Sequence, residues 1–456
     1  MSAISGDIAA RSMTALPNER PRLQEVVQSA LAEARQLGAT GAEAAISLSQ
    51  GLSVTVRLGE VETVEHTRDK GLGVTVYFGK RTGSASTTDF SPTAVRDTVR
   101  AACTIARYTA EDEAAGLADP ERLAKEFPDL DLYHPWNPGV DGAVELARAC
   151  EDAARAHDAR IVNSEGASLS THEGVEVYGN THGFLGAVAS TRHSLSVSII
   201  SQDDAGMQRD YWWTTARKGA DLEPAAQVGE VAARRAVARL GGRKLATRRC
   251  PVLFEAPIAN SLLSHFVSAV RGGALYRQAS FLLDHLGKPV FAPSVRLHEQ
   301  PHLRGGFGSA AFDSEGVATA PRDLVRAGVL QGYVLDSYSA RKLKLQTTGN
   351  AGGVHNLTLD HGPLDFPALL RHMDTGLLVT ELIGFGVNTV TGDYSRGAAG
   401  FWVEGGEIRY PVEEITVAGN LKDMFRAVAA VGNDVDLRSS LRTGSILIES
   451  MTVAGS

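Results

Sequence analysis

Between positions 23 and 34 the apolar residues Leu23, Val26, Val27, Ala30, Leu31 and Ala34 recur three or four apart. That spacing lines one face of a helix, and Gly38 is placed to end it. The period then changes to two. Leu52, Val54, Val56 and Leu58 alternate with Ser53, Thr55 and Arg57, the pattern of a half-buried strand. Strands are expected likewise over 61–66 and 72–78, with Asp69-Lys70-Gly71 as the turn between them. Ser91-Pro92 starts a second helix, Ser as N-cap and Pro at the first helical position, with Val95, Val99, Ala102 and Ala106 facing inward.

Prolines at 128, 135 and 138 keep the next stretch out of helix, so it reads as a linker. The order then repeats. A helix is expected over 140–156, strands over 168–172, 175–178, 184–190 and 195–200, and a closing helix over 224–240. After Gly241-Gly242 glycine becomes frequent and the apolar runs shorten. Strands are expected at 252–255, 376–382, 400–404, 408–411 and 445–448, with helices at 258–271, 365–373 and 421–428. The expected class is α+β. Residues 1–240 form an N-terminal α+β domain of two similar helix/antiparallel-strand units, with a linker at about 127–139. Residues 241–456 form a C-terminal mainly-β domain with Gly-rich turns.

Composition narrows the partners. The 456 residues carry 45 Lys and Arg against 53 Asp and Glu, a net charge of −8, without a dense basic run. Arg243-Lys244 and Arg248-Arg249 are short and read as a solvated inter-domain segment, so nucleic acid is not an expected ligand. Cys103, Cys150 and Cys250 are far apart and form no CxxC, which suits core thiols in a reducing compartment. Residues 1–20 are polar and lack the apolar run of a secretory signal, and no uncharged run approaches the ~18 apolar residues that span a bilayer. A soluble, cytoplasmic protein is expected.

His298-Glu299-Gln300-Pro301-His302 matches H-E-x-x-H, the zinc-protease signature. That motif works on a helix, where both imidazoles project from one face and the Glu can act on zinc-bound water. Pro301 lies between the histidines and costs ~3 kcal/mol in a helix interior. The match therefore reads as coincidence or at most a loop site. His182, His193, His355 and His361 lack ligand spacing to one another, and no G-x-S-x-G elbow is present. Gly349-Asn350-Ala351-Gly352-Gly353 lacks the Lys and Ser/Thr of a phosphate loop and reads as a tight turn, and Gly71-Leu72-Gly73 lacks the third glycine of a dinucleotide site. Asn260-Ser261-Leu262-Leu263-Ser264-His265 lies in an expected amphipathic helix that holds one His, with no partner at ligand spacing.

Several longer blocks carry a resemblance. They are Tyr276-Arg277 with Ser280-Phe281-Leu282-Leu283-Asp284, Phe312-Asp313-Ser314-Glu315-Gly316-Val317, and Ser337-Tyr338-Ser339-Ala340-Arg341-Lys342-Leu343. The most specific runs from Thr391-Gly392-Asp393-Tyr394-Ser395-Arg396 through Gly397-Ala398-Ala399-Gly400-Phe401-Trp402-Val403. Ala418-Gly419-Asn420-Leu421-Lys422-Asp423-Met424 and Val431-Gly432-Asn433-Asp434 follow it, and Gly83 to Asp89 and Ser190 to Leu195 extend the match to the N-terminal half. Together these resemble the TldD/PmbA (TldD/TldE) metalloprotease family, and within it the PmbA/TldE-type chains.

The resemblance implies a subunit of a zinc metalloprotease that cleaves unfolded or extended peptides. It also implies a TldD-type partner that carries the catalytic zinc on H-E-x-x-x-H. Laid on this chain, that motif puts Asn260 at the first His, Ser261 at the Glu and His265 at the last His. No catalytic residue and no metal ligand are therefore expected here, and zinc is expected in the partner. His265, Asn356, Tyr394 and Arg396 are candidates for lining a substrate groove. A heterodimer with the TldD-type subunit is expected, with self-pairing as the state of the chain alone. Two other readings stay open: an independently active metallopeptidase using His298, His302 or some assembled His/Asp set, and a binding module that modulates another protein such as DNA gyrase without proteolysis.

Overall fold

The computed structural model describes residues 16–204 and 206–455. The polar opening stretch lies outside the described residues as far as position 15. The N-terminal elements are α1 (Arg20–Gln36), β1 (Gly41–Arg57), β2 (Glu60–Phe78), β3 (Arg81–Thr87), α2 (Pro92–Tyr108), α3 (Gly139–Ala156), β4 (Ile161–Asn180), β5 (Leu185–Asp203), β6 (Gly206–Ala216) and α4 (Ala225–Ala238). The strands are ordered β3-β2-β1-β4-β5-β6 in one sheet.

The chain divides into two compact units. One comprises residues up to Gly51 with His66–Leu117 and His172–Thr191, and the other Leu52–Glu65, Ala118–Thr171 and Arg192 onward. In the first, Leu23, Val27, Ala30 and Leu31 of α1 and Val95, Val99 and Ala102 of α2 share a core with Ile46, Val74 and Val76. In the second, Ala143, Ala147 and Cys150 of α3 and Val228, Ala232 and Ala236 of α4 pack with Val54, Val56, Val197 and Ile199. Small residues, mostly alanine, dominate the buried faces of α3 and α4, so these two helices approach closely. At α2 the capping reading holds: Ser91 Oγ accepts from the Ala94 N–H.

The C-terminal half comprises β7 (Arg248–Phe254), α5 (Ala256–Val270), α6 (Gly272–Tyr276), β8 (Leu297–Glu299), β9 (Arg322–Arg326), β10 (Val329–Leu330), α7 (Ser337–Lys342), β11 (Leu357–Leu359), α8 (Phe366–Met373), β12 (Gly376–Ile383), β13 (Asp393–Glu404), β14 (Glu407–Asn420), α9 (Leu421–Arg426), β15 (Val428–Val431), β16 (Leu441–Arg442) and β17 (Ile446–Gly455). A five-stranded sheet is ordered β10-β9-β8-β11-β16 and a six-stranded one β14-β13-β12-β7-β17-β15. Because β14 also pairs with β17, strands β14, β13, β12, β7 and β17 close into a ring. Period-two alternation serves both faces of β7. Val252 and Phe254 join the core that holds Leu262, Leu263 and Phe266 of α5. Leu253 joins Leu369, Leu370 and Met373 of α8.

Some expected elements need correction. Asp69-Lys70-Gly71 is not a turn, because β2 runs through it unbroken. Residues 60–70 are exposed throughout, so charged side chains are tolerated within the strand. The strands expected over 168–172 and 175–178 are one strand, β4, and those over 184–190 and 195–200 are one strand, β5. Val428 belongs to β15 rather than to the preceding helix. β3, β6 and the short strands of the five-stranded sheet were not anticipated.

Candidate functional site

Helix α5 follows β7 directly. Glu255 occupies the N-cap position and Pro257 lies in the first turn, where its missing N–H costs nothing. Arg235 Nη1 donates to both Glu255 carboxylate oxygens at 2.9 and 3.0 Å. Burial lifts the Glu255 carboxyl above the usual range even so, with Arg235 opposing the shift. Ala259, Leu262, Leu263, Phe266 and Ala269 bury one face of α5. Asn260, Ser261 and His265 fall off that stripe and are half-buried. Ser261 Oγ donates to Ile258 O at 2.7 Å, which leaves the hydroxyl proton engaged in its own helix.

Strand β13 carries Tyr394 and Arg396 on the same face, two residues apart. Its register is set by pairing of Tyr394 with Gly419 and Arg396 with Val417 of β14. The preceding turn is fixed by Asn420, whose Nδ2 donates to Thr391 O at 3.2 Å and Asp393 Oδ1 at 3.1 Å. Gly392 takes φ +86°, a conformation that an L side chain rarely adopts, and a Cβ there would meet Asn420 and Phe281.

The structure brings His265, Tyr394 and Arg396 together. The His265 and Tyr394 rings meet edge-on, with centroids 6.0 Å apart and planes at 73°. Tyr394 is 1% exposed. Three polar atoms in this group are buried without a hydrogen-bond partner: His265 Nε2, Tyr394 Oη and Arg396 Nε. Burial pushes the His265 imidazole below its ordinary pKa, and the Arg396 guanidinium adds to the effect. Burial raises the Tyr394 phenol, with Arg396 opposing. At neutral pH the imidazole is therefore neutral and the phenol keeps its proton.

Asn356 does not join them. It is fully buried in the left-handed region at φ 45°, and its amide ties a loop together. Nδ2 donates to Gln300 O at 2.9 Å and Ser309 Oγ at 2.7 Å, and Oδ1 accepts from Gly308 N at 2.8 Å. Its polar capacity is spent within the chain.

His298-Glu299 lies in strand β8, so the segment is not a zincin helix. His298 Nε2 bonds Asp360 Oδ1 at 2.8 Å, whereas His302 Nε2 bonds Thr319 Oγ1 at 3.1 Å. Glu299 points elsewhere, into a buried network. It accepts from Arg322 Nε at 2.6 Å, and from Asn350 Nδ2 and the His355 N–H at 2.8 Å each. Asn350 belongs to the Gly349–Gly353 segment, a turn held by Asp313, whose Oδ2 accepts from Ala351 N at 2.9 Å. His193 Nε2 bonds His134 O and His355 Nε2 bonds Gly349 O, so these scattered histidines are engaged singly. Arg243 and Arg248 lie over Tyr410 and Trp402, and Lys244 pairs with Glu414 at 2.8 Å.

Sequence reasoning missed an open groove of about 1060 Å³ beside the segment 121–128. It is lined by Lys125, His302, Thr319, Arg322 and Thr348 among others, and shares no residue with the His265 group. After a short 3-10 turn at Pro120–Arg122 the segment is tied by an isolated bridge: Leu123 pairs with Val317, and Ala124 N donates to Gly316 O at 2.9 Å. The only local signal was the absence of any helical period. Among the described residues no three His, Cys, Asp or Glu side chains gather as a metal-binding group, and no helix is long and apolar enough to cross a membrane.

Three stretches match the PmbA/TldA metallopeptidase domains: domain 1 over residues 42–106, the central domain over 133–240 and the C-terminal domain over 247–455. These matches cover most of the chain and give it the domain set of the PmbA/TldA metallopeptidase family. The Metalloprotease PmbA of Escherichia coli O157:H7 is 50% identical over 448 residues, covering 98% of this chain and 99% of that one. The chain belongs to the PmbA/TldD family, on its PmbA/TldE branch. A candidate modulator of DNA gyrase from Bacteroides thetaiotaomicron superposes with TM-score 0.91 at 31% identity, covering 96% of this chain and all of that one. TldE from Thermococcus kodakarensis has the same fold, with TM-score 0.84 at 20% identity over 94% of this chain and all of its own.

Proposed function

We propose that this chain is the subunit without its own zinc in a cytoplasmic metalloprotease that cleaves unfolded or extended peptides, and that it acts with a TldD-type catalytic partner. The observation that carries this reading is the make-up of α5. Where the family's catalytic chains place two imidazoles and a carboxylate, this helix offers Asn260, Ser261 and His265. Arg396 sets a positive charge beside the one imidazole. A catalytic zinc typically takes three protein ligands and needs a base for its water, and this donor set does not fit it. The missing donor set on α5 supports a role in enclosing the substrate rather than in hydrolysis. Strand edges in the C-terminal half suit an extended peptide, held by main-chain hydrogen bonds with little sequence preference.

The reading of the chain as an independent metallopeptidase finds no support at His298 and His302, which are bonded to Asp360 and Thr319. The deciding experiment measures cleavage of an unstructured peptide by the chain alone, by a TldD-type partner alone, and by the mixture. The mixture is expected to cleave in a chelator-sensitive way and the chain alone is not. Chelator-sensitive cleavage by the chain alone, free of partner, overturns the proposal. Tight partner binding without any gain in cleavage favours a purely modulatory module.

A further inference from the structure

The three polar atoms of the His265 group can all act as donors. Arg396 Nε–H always donates, Tyr394 keeps its proton and can donate, and a neutral His265 donates from Nε2 in one of its tautomers. All three atoms are buried without a partner. Four other arginines in buried surroundings pair with carboxylates, whereas Arg217 donates to the backbone carbonyls of Gly306 and Phe307. Arg235 meets Glu255 at 2.9 Å, Arg239 meets Glu381 at 2.6 Å, Arg322 meets Glu299 at 2.6 Å and Arg438 meets Asp436 at 2.9 Å. The Arg396 side chain has neither an ion pair nor a hydrogen bond among the described residues. Buried donors are rarely left unmade in folded proteins, because each forfeits its hydration without return. An acceptor that is absent from the chain itself is the physical complement of such a group.

We propose that His265 Nε2, Tyr394 Oη and Arg396 Nε form a carboxylate-binding site that receives a peptide carboxylate. The charge of Arg396 disfavours a metal cation at this point. A single neutral carbonyl would satisfy only part of the set. A carboxylate brings two oxygens with about four acceptor positions and a negative charge, which matches several donors that include a guanidinium. His265 and Arg396 are half-buried and Tyr394 is 1% exposed, while the three atoms themselves are out of contact with solvent, so the carboxylate enters only as these side chains part. The position on α5 places the site beside the degenerate motif. Its assignment to a peptide carboxylate, rather than to a small anion, rests on the proposed function above. The shared chemistry is a carboxylate, whether the peptide's C-terminal group or an acidic side chain.

The test uses the purified full chain without any partner, so that its outcome is independent of proteolysis. Calorimetric titration compares acetyl-trialanine as the free acid, the same peptide amidated, and an amidated peptide containing one Glu, with inorganic phosphate as competitor. A peptide bearing a carboxylate is expected to bind and its uncharged counterpart is not. Binding of the free acid alone assigns the C-terminal group, and binding of the Glu peptide as well assigns any carboxylate. Arg396→Gln is expected to weaken binding by about 10-fold or more, the usual worth of a hydrogen bond to a charged group. Tyr394→Phe removes one hydroxyl while keeping the ring, and is expected to weaken binding less while leaving the fold intact. The proposal is overturned by equal binding of charged and uncharged peptides, by no binding, by affinity unchanged in both variants, or by phosphate matching the free acid. A crystal structure grown with the free acid that shows only water on the three atoms overturns it too. Intact cleavage by the mixed enzyme with failed peptide binding here sinks this site alone, and the reverse result sinks only the proposed function.

Discussion

Arg322 donates its Nε to Glu299 Oε2 at 2.6 Å, and the carboxylate it holds is only 2% exposed. With Asn350 and the His355 N–H on its other oxygen, Glu299 is a hub that joins β8, β9 and the turn at Gly349–Gly353. Removing one partner of a buried ion pair leaves the other charge uncompensated. Glu299→Ala is therefore expected to destabilise the fold by about 3–5 kcal/mol, measured as a shift in the urea midpoint. A loss below 1 kcal/mol would mean that water replaces the carboxylate.

Metal content separates the two readings of the histidines. The purified chain is expected to contain no stoichiometric zinc, and His265→Ala and His302→Ala are expected to leave elemental analysis unchanged. The motivation is a lone imidazole beside Arg396 on α5, with His302 engaged by Thr319. About one zinc per chain, lost in either variant, contradicts this.

Stability is expected to fall with pH through a window set by Glu315. Burial lifts its carboxyl from an ordinary 4.5 to about 7, with the Ser337 bonds opposing and Asp313 and Asp336 adding to the rise. The folded pKa lies above the unfolded one. The stabilisation is therefore fully present below pH 4.5 and is lost as pH rises through about 7. Glu315→Gln keeps an acceptor for the Ser337 N–H, which lies at 2.9 Å, and removes the titration. Thermal midpoints of the two proteins should diverge across that window, with the variant flatter. Parallel curves would show that the carboxyl ionises freely in the folded chain.

Gly229 sits where α3 and α4 touch. A Cβ there would come 2.2 Å from Cys150 O and 2.9 Å from Ala154 N, both backbone atoms that cannot swing aside. Alanine gains ~1 kcal/mol in helix propensity, but overpacking against backbone costs ~1–3 kcal/mol and wins. Gly229→Ala should lower the thermal midpoint, and a raised midpoint would show that the helices separate freely.

The helices were legible because their apolar period is local. The stripe of α1 and the Ser91 cap need only a few consecutive residues, and Pro301 alone sufficed to reject a zincin helix. The sheets were less legible. β2 crosses Asp69-Lys70-Gly71 although their local preference is for a turn, because a strand within a sheet is set by its neighbours as well as by its own residues. Strands as short as Val329–Leu330 and Leu441–Arg442 carry no period at all. Tyr394 and Arg396 were singled out through a family block. Their meeting with His265 joins residues far apart in the chain, and only the packing of α5 with the sheet reveals it. Asn356 looked alike in sequence but proved to be the bolt of a loop.

The placing of the three cysteines has a practical consequence. Cys103, Cys150 and Cys250 are free and buried, and each lies in a different apolar core. Burial raises every one of their thiols, Cys150 to about 12, so none is a ready nucleophile in the folded chain. Reaction with a thiol reagent thus requires the surrounding core to open. With single-cysteine variants, the labelling rate becomes a clock for each core separately, and docking of a partner subunit can be read as the slowing of one clock while the others keep time.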